Sequence, residues 1–152
     1  MRKIQISSKY PQFDTRGERV LFIAASKQHC EVYKVGKGNI TKTYEFHVEK
    51  PTHLERDSQF GNRGVGVGSA SIQDMRDDEI KRLFERELKK IVKELSQKYN
   101  PTQIYLYATP KTVSTVKGAL PKDWQVAIKK TIRGNFTNEH PFVLLDKLIA
   151  AS

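Results

Sequence analysis

Val20–Ala25 is an unbroken run of six apolar residues rich in β-formers, which predicts a strand buried on both faces. After the polar turn Ser26-Lys27-Gln28-His29, residues 30–35 alternate: Cys30 and Val32 point to one side, Glu31, Tyr33 and Val35 to the other. That period of two predicts a second strand. Gly36-Lys37-Gly38-Asn39 reads as a hairpin turn, its glycines available for positive φ, and Ile40–Val48 is a third strand rich in β-branched and aromatic residues. Residues 1–18, with Pro11 and Gly17, form a lead-in with room for one short strand, and 49–73 form a glycine-rich loop with almost no apolar periodicity. Ile80, Leu83, Phe84, Leu88, Ile91, Val92, Leu95 and Tyr99 then repeat at helical spacing. They predict one long helix with Asp74 as its N-cap, acids at its start, lysines near its end, and Asn100-Pro101 as its stop. Gln103–Ala108 is a fourth strand, and a short helix opens near Thr109-Pro110 and closes at Pro121. Trp124–Ile132 reads as a fifth strand, and a last helix begins at Pro141.

The predicted order is βββαβαβα. An antiparallel meander followed by two βα units implies a mixed sheet with helices packed on it, since parallel strands need helical crossovers. This is the element order of ribonuclease-H-like α/β folds. Nothing repeats internally, and 152 residues suit a single domain spanning 1–152.

Charge narrows the function classes. There are 27 Lys+Arg against 17 Asp+Glu, a net +10. Residues 1–50 contribute +5 and 100–152 contribute +4, while 51–73 are neutral and 74–99 carry +1. No block of five like charges occurs, so the excess belongs to a folded body and favours a polyanion partner. The longest apolar run is six residues, far short of the roughly 20 of a membrane helix. The basic N-terminus lacks the apolar core of a secretory signal, so the expected compartment is the cytoplasm. Cys30 is the single cysteine and reads as a buried strand residue, not a nucleophile. The four histidines are scattered and have no zinc spacing, so no metal or cofactor is expected. A metal nuclease would need carboxylates on the central strand, which has none, and Glu31 and Glu45 read as solvated strand residues.

Two stretches remain as candidate chemistry. The loop Gln59, Phe60, Gly61, Asn62, Arg63, Gly64, Val65, Gly66, Val67, Gly68 is neither a Walker A loop nor a dinucleotide fingerprint. Its alternating glycines allow close backbone approach to a partner, and Arg63 suits a phosphate. The second stretch is Lys111, Lys117, Lys122, Lys129, Lys130 and Arg133, a candidate phosphate-contacting face. Tyr105, Tyr107 and Trp124 lie among them and read as core residues, not stacking platforms.

QIYLYATPKTVSTVKGAL resembles the strand, Pro turn and short helix of the bacterial release-factor-like proteins, often labelled host-attachment proteins. VAIKKTIRGNFTNEHPFVLLDKL resembles that family's closing segment, with Asn135, Phe136, Thr137 and Pro141 in place of its Asp-Leu-Thr and Pro. The likeness covers about Val20 to Ile149. That family resembles the middle domain of archaeal and eukaryotic class-1 release factors and Pelota. The resemblance implies a ribonuclease-H-like fold and a ribosome or tRNA partner. It also places the glycine-rich loop where release factors carry Gly-Gly-Gln. No Gly-Gly-Gln occurs in this chain, so the expectation is an RNA-associated domain without that hydrolytic function, and a binding domain sooner than an enzyme. Two alternatives stay open. One is peptidyl-tRNA ester hydrolysis by loop amides with Gln59 or Gln73 positioning water. The other is a protein-interaction domain that binds no nucleic acid.

Overall fold

The computed structural model describes residues 3–8, 10, 18–49 and 69–151, with side chains from Asp77 onward in the long helix. The elements are β1 (Lys3–Gln5), β2 (Val20–Ala25), β3 (His29–Gly36), β4 (Asn39–His47), α1 (Ser69–Ser96), β5 (Gln103–Ala108), α2 (Pro110–Ala119), α3 (Lys122–Ala127), β6 (Ile128–Arg133) and α4 (Pro141–Ala150). The strands form one six-stranded sheet in the order β1-β4-β3-β2-β5-β6. β2–β3, β3–β4 and β1–β4 pair antiparallel; β2–β5 and β5–β6 pair parallel. This is the expected ribonuclease-H-like mixed arrangement, with β1 added at one edge and α3 inserted before β6.

The sheet is covered on both faces, which is why β2 has to be apolar throughout. Leu21, Ile23 and Ala25 enter a core with Ile80, Phe84, Leu88, Val92 and Leu95 of α1, Val113 and Val116 of α2, and Trp124 of α3. Phe84 packs on Phe46 of β4 with ring centroids 5.1 Å apart. Full burial of such side chains stabilises by about 1.5–3 kcal/mol each. Val20, Phe22 and Ala24 enter the opposite core with Tyr33, Tyr107, Leu144, Leu145 and Leu148. There α4 is fixed by polar ties: Tyr107 Oη donates to the Leu144 carbonyl at 2.8 Å and Tyr10 Oη to Asp146 Oδ1 at 2.7 Å. No described helix is long and apolar enough to cross a membrane.

Several boundaries differ from the expectation. α1 begins at Ser69, so Asp74 lies inside the helix, not at its N-cap, and residues 69–73 belong to the helix and not to the loop. Its first turn has no acid, and Asp77, Asp78 and Glu79 lie beyond the reach of the dipole's positive end. The predicted strand Trp124–Ile132 is instead the helix Lys122–Ala127 followed by the strand Ile128–Arg133. Over six residues a period of two and a period of 3.6 look alike. Trp124 is buried and Val126 is 83% exposed, as a helix requires and a half-buried strand forbids.

The hairpin turn also differs in detail. Gly36 pairs with Asn39, leaving Lys37 and Gly38 as a two-residue loop with φ of 52° and 74°. Positive φ at both central residues is what a hairpin of this length needs, and the first of them is a lysine, not a glycine.

Candidate nucleic-acid interface

The carboxyl ends of the parallel strands β2 and β5 open into a cleft of about 580 Å³. The chain leaves β2 toward β3 on one side and leaves β5 toward β6 on the other. Such a switch point is where open α/β sheets place ligands. The cleft is bounded by Lys27 after β2, by Asp77, Asp78, Lys81 and Phe84 of α1, and by Thr109, Lys111 and Thr112 at the start of α2. Lys27 Nζ pairs with Asp77 Oδ1 at 2.6 Å. Thr109 caps no backbone amide of α2; its hydroxyl bonds instead to Thr112 Oγ1 at 2.7 Å. Three cations face two carboxylates here, so the cleft itself is close to neutral.

The charge lies beside it. Between Thr109 and Gly134 the chain carries Lys111, Lys117, Lys122, Lys129, Lys130 and Arg133 against Asp123 alone. These residues lie on α2, α3 and β6, three consecutive elements at one edge of the sheet. Five of the six are exposed and Lys130 is half-buried. None forms an ion pair among the described residues; Lys130 Nζ donates to the Ala151 carbonyl at the end of α4. Arg133 sits beside Ala108, where β5 turns into α2. Lys111 also faces the cleft. Lys117 and Lys122 lie further along the helical layer, and Lys129 and Lys130 on the outermost strand, where charge also opposes edge-to-edge sheet extension. The structure thus gathers the six along one edge but not onto one flat face.

Gln59, Gly61, Asn62, Arg63, Gly64, Gly66 and Gly68 lie outside the described residues. The backbone on one side of that segment is fixed: Val48 donates to Gln28 and accepts from Gln28 Nε2, beside the same carboxyl edge.

Trp124 and Tyr107 are buried, and Tyr105 packs edge-on against Phe22, as core residues do. Burial, reinforced by the Glu31 charge, raises the Cys30 thiol far above its ordinary range, consistent with a structural cysteine.

Glu31 corrects the expectation of a solvated carboxylate. It is 1% exposed, because β3 is covered on both faces. Lys42 Nζ lies 2.7 Å from Glu31 Oε2 and 3.4 Å from Glu45 Oε1, and the amide of Asn138 donates to Glu31 Oε1 at 2.9 Å. Glu45 also bonds His29 Nε2 at 2.7 Å. Donor atoms of His29, Glu31 and Glu45 lie within 4.8 Å of one another, and the Lys42 ammonium supplies the positive charge that this group requires.

The closing segment has a structural explanation of its own. Asn135 Oδ1 accepts from the Thr137 amide at 3.2 Å and from Thr137 Oγ1 at 2.7 Å. Asn supplies the same acceptor oxygen as Asp, so the turn tolerates the exchange. His140 caps α4 by accepting from the Phe142 amide at 3.1 Å.

No protein-family model matches the chain, and no curated protein matches it significantly, so the likeness to host-attachment proteins finds no family match. Among solved structures, archaeal translation termination factor aRF1 is similar over 77% of this chain and 30% of that one, with 8% identity and a TM-score of 0.46. Ethanolamine utilization protein EutJ from Carboxydothermus hydrogenoformans is similar over 88% of this chain and 48% of that one, with 18% identity and a TM-score of 0.41. The chain spans less than half the length of either neighbour.

Proposed function

We propose that this chain is an RNA-contacting domain of release-factor-like architecture that works at the ribosome or on tRNA and lacks Gly-Gly-Gln hydrolysis. The observation that carries the proposal is the run of six cations against one acid along α2, α3 and β6, with no ion pairs among the described residues to neutralise it. Unpaired cations on consecutive elements favour a phosphate backbone, recognised by charge and shape with little sequence readout. The release-factor component of the proposal rests on the sequence resemblance.

Co-sedimentation with purified ribosomes tests it. The chain should pellet with ribosomes at low salt and be released as salt rises. A Lys111→Gln/Lys117→Gln/Arg133→Gln variant should stay in the supernatant at salt concentrations where the unaltered chain pellets. Absence of the unaltered chain from the ribosomal pellet at low salt would contradict the proposal.

A further inference from the structure

A second cleft, of about 520 Å³, lies at the other end of the sheet, beside the amino end of β2. It concentrates charge more strongly than the carboxyl-edge cleft. Lys3, Arg19, Lys34 and Lys37 line it, with Glu18 as the one carboxylate. Its floor is set by strand register: Lys3 of β1 pairs with Thr41 of β4, and Thr41 pairs with Lys34 of β3. Two ammonium-bearing residues therefore flank a threonine on one row, two strand spacings or about 10 Å apart.

Arg19 stands at the rim, held by a bond from its Nε to the Asn100 carbonyl. Tyr99 closes the side, with Lys34 Nζ 4.4 Å from its ring centroid. Among the described residues, none of these four cations forms an ion pair. Lys37 projects from the hairpin tip in a left-handed conformation that Asn or Gly adopts more easily. Like charges gathered along one cleft cost stability, and no ion pair among the described residues offsets that cost. A ligand of opposite charge would. The volume lies within the range of small-molecule sites, which favours a compact anion over an extended strand.

We infer that this cleft binds the phosphate groups of a small phosphorylated ligand of nucleoside-diphosphate size. The site is separate from the α2–α3–β6 edge and does not depend on RNA binding there. Calorimetric titration of the full chain with inorganic pyrophosphate, ADP and adenosine at low ionic strength tests it. Pyrophosphate and ADP should bind saturably at one site and adenosine should not. Arg19→Gln/Lys34→Gln should weaken ADP binding about tenfold or more, as removal of two charge-assisted hydrogen-bond donors implies. Lys37→Gln, at a turn tip outside both cores, should weaken it as well, with an unchanged circular dichroism spectrum. Lys111→Gln/Lys117→Gln should bind as the unaltered chain does. Three results would overturn the inference: no saturable binding of pyrophosphate or ADP, equal binding of adenosine, or loss of binding in the Lys111/Lys117 variant with retention in the Arg19/Lys34 variant.

Discussion

Gly134 shows how one residue fixes the join between β6 and α4. Its φ is 149°, and a β-carbon placed there would meet the Phe136 ring at 2.8 Å. Phe136 in turn packs edge-on against Tyr107, and the segment continues to Asn138, whose amide binds buried Glu31. Gly134→Ala should therefore destabilise the chain by about 1–3 kcal/mol, through backbone strain and displacement of Phe136. Chemical denaturation would measure it, and a neutral effect would show that the turn has room to adjust. The glycine was visible in the sequence, but its close approach to Phe136 was not, because that depends on how the turn folds back. Glu31 is a similar case. Alternation placed it correctly on the face shared with Tyr33 and Val35, yet that face is buried by Ile6 and Tyr10 together with Leu144, Leu145 and Leu148 of α4, and the amide of Asn138 reaches Glu31 itself. Trp124 Nε1 is buried with no hydrogen-bond partner among the described residues, and nothing in the structure explains it.

At the scale of elements, β3 and β4 bring Glu31 and Glu45 directly opposite each other. Like charges in that position are unfavourable, and Lys42, which contacts both carboxylates, offsets the repulsion, while His29 adds a hydrogen bond to Glu45. Burial works against the charge of Glu45, but its bond to His29 and the nearby Lys42 outweigh it, so its carboxyl titrates below the ordinary value of 4.5. Burial likewise disfavours charged Lys42, and Glu31 and Glu45 overcome this and raise it above 10.5. A lowered carboxylate stabilises above its unfolded value and loses that contribution as pH falls through the native one. A raised lysine stabilises below its unfolded value and loses that contribution as pH rises through the native one. The stability gap between the unaltered chain and Glu45→Gln should therefore shrink as pH falls below about 4.5. Denaturation series across acid pH would check this, and a gap unchanged at strongly acid pH would remove Glu45 from the account. The strands of this meander and the long helix were legible because their apolar periods are sustained. The missed helix 122–127 is too short for its period to be told from a strand's, and the early start of α1 is hidden by the residues Ser69-Ala70-Ser71, which read as a continuation of the glycine-rich stretch.

Across the whole molecule, the sheet separates two cationic regions: the α2–α3–β6 edge, and the cleft where β1, β4 and β3 meet the end of α1. The sequence located the excess charge in the first and last thirds of the chain, but not its placement at two separate regions of the sheet. The sequence also supplied all six cations of the first region, since they fall within one continuous stretch. It did not supply the second region as a site, because Lys3, Arg19, Lys34 and Lys37 converge only through strand register. The central claim is that the α2–α3–β6 edge holds an RNA backbone. Its most direct test is the dependence of RNA affinity on salt concentration, measured for the unaltered chain and for Lys111→Gln/Lys117→Gln/Arg133→Gln. Removing one phosphate-binding cation lowers the slope of log affinity against log salt by about 0.7–0.9, so the slope of the triple variant should be shallower by roughly two to three. Equal slopes for the two proteins would contradict the account.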